Sequence, residues 1–199
     1  MQYIALIGLI GIPILIVLIL WRGRGTGALP PFYTTLFFAG CAIGSTWEIG
    51  FSLLSMDQLA EPLSYAIEPG GARAENIDRG EGFAWFHIVI VLPLVCIWDA
   101  GLLLCGIWLS NRAGFRPSFA RFRWGELGIL MLWGQLQSFA IEMIAIELGI
   151  WAYNMTSYNP ALFSYGDSQI TALPQIVWLI ACPVFYLIGL RSKANSNMN

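Results

Sequence analysis

The sequence predicts an all-α fold, a polytopic membrane helix bundle that forms a single transmembrane domain over residues 1–199. Three observations predict it. Of 199 residues, 57% are hydrophobic and only 11% charged, where soluble domains carry about 25% charged residues; the mean hydropathy is +0.68. Five apolar segments approach the ~20 residues that a bilayer crossing needs. Arginine and lysine fall on alternate connections between those segments.

The first span, Ile4–Trp21, has no basic residue before it and no small-residue cleavage site after it, so it is expected to be a retained helix and not a signal peptide. Arg22 and Arg24 follow. The second span is Phe32–Leu54, and the connection Ser55–Phe83 carries Asp57, Glu61, Glu68, Glu75, Asp78 and Glu81. The third span, Ala84–Leu109, leads to a link with Arg112, Arg116, Arg121 and Arg123. Leu127–Ile150 is the fourth. The connection Ala152–Thr171 is rich in Tyr, Asn and Ser and contains the acceptor sequence Asn154-Met155-Thr156. Ala172–Leu190 is the fifth, followed by Arg191 and Lys193. Pro13, Pro93, Pro174 and Pro183 fall inside spans, where each is expected to kink its helix. With five spans, every basic residue except Arg73 and Arg79 lies on one side, which puts the N-terminus outside and the C-terminus in the cytoplasm.

The net charge of −2 gives no argument for a nucleic-acid partner. The four cysteines, Cys41, Cys96, Cys105 and Cys182, lie in apolar runs without metal spacing and read as small packing residues. One histidine and scattered acids supply no His-x-x-x-His or Glu-x-x-His pattern, so no metal is expected. No glycine-rich phosphate loop opens a helix, and no cofactor is expected.

The informative residues are three acids in apolar spans: Glu48, Asp99 and Glu142. A carboxylate at the bilayer centre costs about 2.5–3.5 kcal/mol on insertion scales, and no Lys or Arg lies inside any span to offset it. A carboxyl group so placed is held more cheaply in its neutral form. Rise per residue puts Glu48 and Glu142 on the outer side of the midplane. Asp99 falls slightly to the cytoplasmic side, near Gln135. In helical phase, Cys41, Gly44, Ser45, Glu48 and Ser52 share one face, and Gln135, Ser138 and Glu142 another. His87 lies near the outer end of the third span, level with Glu147, where it is a candidate proton relay or a satisfied structural group. Trp47, Trp98, Trp133 and Trp178 are deep; they are core residues, or they wall a pocket in which indole faces shelter a cation. Trp108 and Trp151, near span ends, read as interfacial anchors.

A neutral carboxylic acid facing an apolar pocket is a general acid suited to protonating an alkene or epoxide. The segment Cys41-Ala42-Ile43-Gly44-Ser45-Thr46-Trp47-Glu48-Ile49 resembles the surroundings of the Trp-Glu pair in the second helix of integral-membrane terpene cyclases, and the short basic link 22–27 is similar too. The resemblance implies that Glu48 is the proton donor. That family has more helices and carries its second acid in the last one; the fifth span here has none, so Asp99 or Glu142 would take that part. Glu147-Leu148-Gly149-Ile150-Trp151-Ala152-Tyr153, with Leu173-Pro174 and Trp178, resembles membrane carotenoid cyclases and hydratases. The expected function is therefore an acid-catalysed membrane cyclase, isomerase or hydratase. Its partners would be a lipid-soluble isoprenoid and membrane lipids. Glu48, Asp99 and Glu142 would be catalytic, Trp47, Trp98, Trp133, Gln135 and Trp178 would bind substrate, and His87 would relay protons. The alternatives are a proton-coupled carrier and a non-catalytic subunit of a membrane complex.

Overall fold

The structure is a computed structural model that describes residues 2–27, 30–54, 89–90, 92–147, 155, 157–166 and 168–196, with backbone alone for 2–9 and 50–54. His87, the acidic connection 55–83, Trp151 and the acceptor Asn154 lie outside the described residues. Among those described, the chain is mostly helical: α1 (Gln2–Gly25), α2 (Pro31–Leu54), α3 (Leu92–Arg112), α4 (Trp124–Glu147), a hairpin of β1 (Ala161–Tyr165) and β2 (Ser168–Thr171), and α5 (Ala172–Ser196). Three of the helices, α3, α4 and α5, are long and apolar enough to cross a membrane.

The outer surface is as apolar as the core. Leu15, Ile19, Leu132, Leu136, Ile144, Ile180 and Leu187 are all exposed. A water-soluble bundle turns such residues inward; here both sides of the helices are apolar, as a bilayer solvent requires. The core proper runs through Leu36, Leu103, Ile107, Leu130, Phe185 and Tyr186.

The helix boundaries have local causes. Pro31 opens α2, a position where its missing N–H is not needed. The same reasoning corrects an expectation from the sequence. Pro174 falls in the first turn of α5, directly after β2, where it costs no hydrogen bond, while Pro13 and Pro183 lie inside helices. α3 ends at Arg112, and Gly114 just beyond it, with φ of 94°, lets the Phe115 N–H donate back to the Ser110 carbonyl at 3.1 Å. The start of α5 is capped from a distance, since Asn159 Oδ1 accepts from the Leu173 N–H at 2.8 Å and the Pro160 carbonyl from the Ala172 N–H at 2.9 Å.

The connection between α4 and α5 contains a hairpin. β1 and β2 pair antiparallel with an irregularity between Ala161 and Phe163, and Gly166 turns the chain at φ 58°. Phe163 stacks on Phe139 of α4 at 6.0 Å between centroids, which ties the hairpin to the bundle. The Glu147 carboxylate at the end of α4 hydrogen-bonds the Tyr165 hydroxyl and raises its pKa above the ordinary value.

α2 lies against α3 and α5, α3 also touches α1 and α4, and α4 packs on α5. α2 and α3 run antiparallel: going up α2, Gly40 meets Ala100 and Leu103, then Gly44 meets Asp99. The small residue at 40 sets the α2–α3 spacing. A Cβ there would sit 2.8 Å from the Ala100 Cα, backbone that cannot give way. Gly40→Ala is therefore expected to destabilise the bundle by about 1–3 kcal/mol. Thermal unfolding in detergent measures this, and an unchanged midpoint would show that the two helices do not touch here.

Candidate active site

Asp99 on α3 is buried, and it faces α2 across Gly44. A Cβ at Gly44 would lie 2.7 Å from Asp99 Oδ2, so only glycine leaves room for the carboxyl group. Glu48 lies four residues further along α2, one helical turn away. The two carboxyls are close enough to interact electrostatically, and the Trp47 indole N–H is directed at both. Cys41 and Cys96 adjoin the same pair. No cationic group contributes to this cluster among the described residues. Two acids that the sequence put in different layers thus meet across one helix contact.

Glu142 belongs to a second cluster, between α4 and α5. Its Oε2 accepts from Gln175 Nε2 at 3.1 Å, and Gln135 Nε2 donates to the Gln175 carbonyl at 3.0 Å. Gln175 escaped the sequence reading, although an amide after Leu173-Pro174 in an apolar helix carried the same signal as Gln135. Gln137, also not singled out, is buried and donates to the Gly134 carbonyl at 3.0 Å. The indoles bridge the clusters: Trp47 on α2 and Trp178 on α5 approach to 5.9 Å between centroids, and Trp178 lies one turn below Gln175.

Trp133 is turned to another task. Its N–H donates to the Leu102 carbonyl at 2.8 Å, and its ring covers Gly106, so it fastens α4 to α3. Trp98 is half-buried beside Asp99.

Three polar atoms of these clusters are buried without a hydrogen-bond partner among the described residues: Asp99 Oδ2, Glu142 Oε1 and Gln175 Oε1. Each such atom costs about 1–3 kcal/mol, which makes the two clusters candidates for use beyond packing. Among the described residues, no group of three His, Cys, Asp or Glu side chains converges as metal ligands.

The acid that sequence reading missed altogether is Glu126. It is fully buried at the opposite, arginine-rich end of the bundle, where its Oε1 accepts from the Phe119 N–H and its Oε2 from the Tyr186 hydroxyl, both at 3.0 Å.

Comparison with protein-family models, with curated proteins and with solved structures finds no match to this chain.

Proposed function

We propose that the chain is a five-span membrane enzyme, N-terminus outside and C-terminus cytoplasmic, that protonates an alkene or epoxide of a lipid-soluble isoprenoid and so starts its cyclisation, isomerisation or hydration. The observation that carries this reading is the Glu48–Asp99 pair: two carboxyls on facing helices, one indole N–H between them, and no cation. The apolar outer surface supports the membrane setting, and the basic residues on alternate connections support the orientation.

In this reading Glu48 transfers its carboxyl proton to the terminal double bond or the epoxide oxygen. With an epoxide, one C–O bond breaks, the protonated oxygen stays on its other carbon as a hydroxyl, and the carbon it left becomes the cation. The carboxylate left on Glu48 is stabilised by the Trp47 N–H and by the O–H of a neutral Asp99, because hydrogen bonds aimed at a developing charge are strong in a low dielectric. The faces of Trp47 and Trp178 shelter the carbocation. Glu142, held by Gln175, accepts a proton from carbon as the final double bond forms, or directs a water that quenches the cation. The resemblance around Trp47-Glu48 agrees with this assignment of the donor.

The test is turnover in deuterated water. The purified chain in lipid nanodiscs, given linear polyprenes and their epoxides, is expected to yield products with one solvent deuterium at the protonated atom, and Glu48→Gln to yield none. Full turnover by Glu48→Gln would remove Glu48 as donor. A proton-coupled carrier is the second reading, favoured by the separation of the acids into two clusters, as a relay requires. Proteoliposome flux indifferent to a pH gradient would reject it.

A further inference from the structure

At the arginine-rich end of the bundle, where α2 begins and α3 and α5 end, a cavity of about 660 Å³ opens between helix ends and the link 113–123. Its size falls in the range of small-ligand sites, about 300–1,000 Å³, and none of the three intramembrane acids lines it. Two cations do, Arg116 from the link and Lys193 from α5. Both are held in place. Arg116 Nε donates to the Asn111 carbonyl at 3.1 Å, which fixes the guanidinium plane and leaves its terminal nitrogens available. The Lys193 ammonium rests over the Phe32 ring at 5.3 Å from its centroid. Asn111 Oδ1 accepts the Ser118 hydroxyl at 2.7 Å, so the side-chain amide of Asn111 presents donors to the cavity it lines. Neither cation forms an ion pair with a carboxylate among the described residues. At the rim, Trp108 is 54% exposed, with the Arg112 guanidinium over its ring at 5.2 Å. A tryptophan so placed marks the level of lipid headgroups.

We infer that this cavity binds a phosphate ester of net negative charge, with Arg116 and Lys193 as its charged ligands. The guanidinium fork suits two phosphate oxygens and the ammonium a third. The phosphate can belong to an anionic lipid headgroup or to a small soluble ester. The mouth at headgroup level, on the side where basic residues collect, favours the lipid.

The experiment uses the full chain in detergent, with phosphatidylglycerol, phosphatidylcholine or glycerol 3-phosphate added, and reads bound molecules by native mass spectrometry alongside the thermal unfolding midpoint. One phosphatidylglycerol is expected to stay bound per chain and raise the midpoint, with phosphatidylcholine inert. Arg116→Ala and Lys193→Ala should each weaken retention about fivefold, whereas Arg191→Ala, exposed on the same end and outside the cavity, should not. If glycerol 3-phosphate alone stabilises the chain and the same two substitutions abolish this, the site stands and its natural ligand is soluble. Equal retention of phosphatidylcholine, no response to either phosphate, or an equal loss on Arg191→Ala would overturn the inference. Should Lys193→Ala fail to fold, Lys193→Gln keeps most of the stem over Phe32 and carries the same test. The readout is binding, so its failure leaves the acid chemistry at the other cluster untouched.

Discussion

On the proposed mechanism, Glu48→Gln and Asp99→Asn should each lower isoprenoid turnover by about 10²–10⁴-fold, and the double variant should fall little below the worse single one. The first figure is the usual contribution of a positioned general acid. The second expectation follows from the geometry. If Asp99 acts by holding and stabilising the Glu48 carboxylate through the contact across Gly44, removing either partner removes the same function, and the losses do not multiply. Both substitutions replace a carboxyl group with an amide of nearly equal volume in a tight site, so the fold should survive, and unfolding in detergent checks this. Trp47→Phe adds a finer test: it keeps a ring beside Trp178 and deletes the N–H that faces both carboxyls. A loss of about 10²–10³-fold is expected where one donor to a developing charge is removed. Single losses that multiply in the double variant would mean that the two acids serve separate steps. Unchanged turnover in Asp99→Asn would leave Asp99 a packing residue.

The helices were legible because apolar runs bounded by basic links leave few alternatives, and α2, α4 and α5 lie close to the ranges expected for them. The hairpin was not legible. Leu162-Phe163-Ser164-Tyr165 does not alternate cleanly, and its docking depends on Phe139, a residue on another element. Charge in an apolar span identified Glu48, Asp99 and Glu142, since the cost of burial does not depend on the neighbours. Their partners did depend on neighbours. That Asp99 faces Glu48 rather than Glu142 follows from α2 lying on α3 with Gly40 and Gly44 at the contact, and adjacency of helices is not written in depth or phase. The indoles divide for a similar reason. Trp178 and Trp133 look alike in sequence, yet one meets Trp47 and the other donates to a carbonyl of α3.

Glu126→Ala should be the most destabilising single substitution at the arginine-rich end, by about 3 kcal/mol or more. Two buried donors, the Phe119 N–H and the Tyr186 hydroxyl, converge on this carboxylate, and a hydrogen bond to a charged acceptor is worth about 1.5–3 kcal/mol. Alanine also leaves a void at a position with no exposure. The carboxylate fixes more than its own helix. Phe119 has a φ of 60°, an unfavourable region for a bulky residue, and it is fully buried against Gly189, Phe185 and Tyr186. Its backbone is held there by the Glu126 bond, while the Tyr186 oxygen accepts the Arg123 N–H at 2.9 Å. Tyr186→Phe removes that hydroxyl's hydrogen bonds to Glu126 and from the Arg123 N–H, and should cost about 1–3 kcal/mol. Because Glu126 and Tyr186 share a hydrogen bond, the double variant should lose less than the two singles added together. Reversible unfolding in mixed micelles gives all three values. A cost below about 0.5 kcal/mol for Glu126→Ala, the range of ordinary surface substitutions, would mean that this carboxylate faces water and that the link does not fold under the bundle as described. The remaining folded fraction should keep its specific activity, since the Glu48–Asp99 contact is held by α2 and α3 and not by the link.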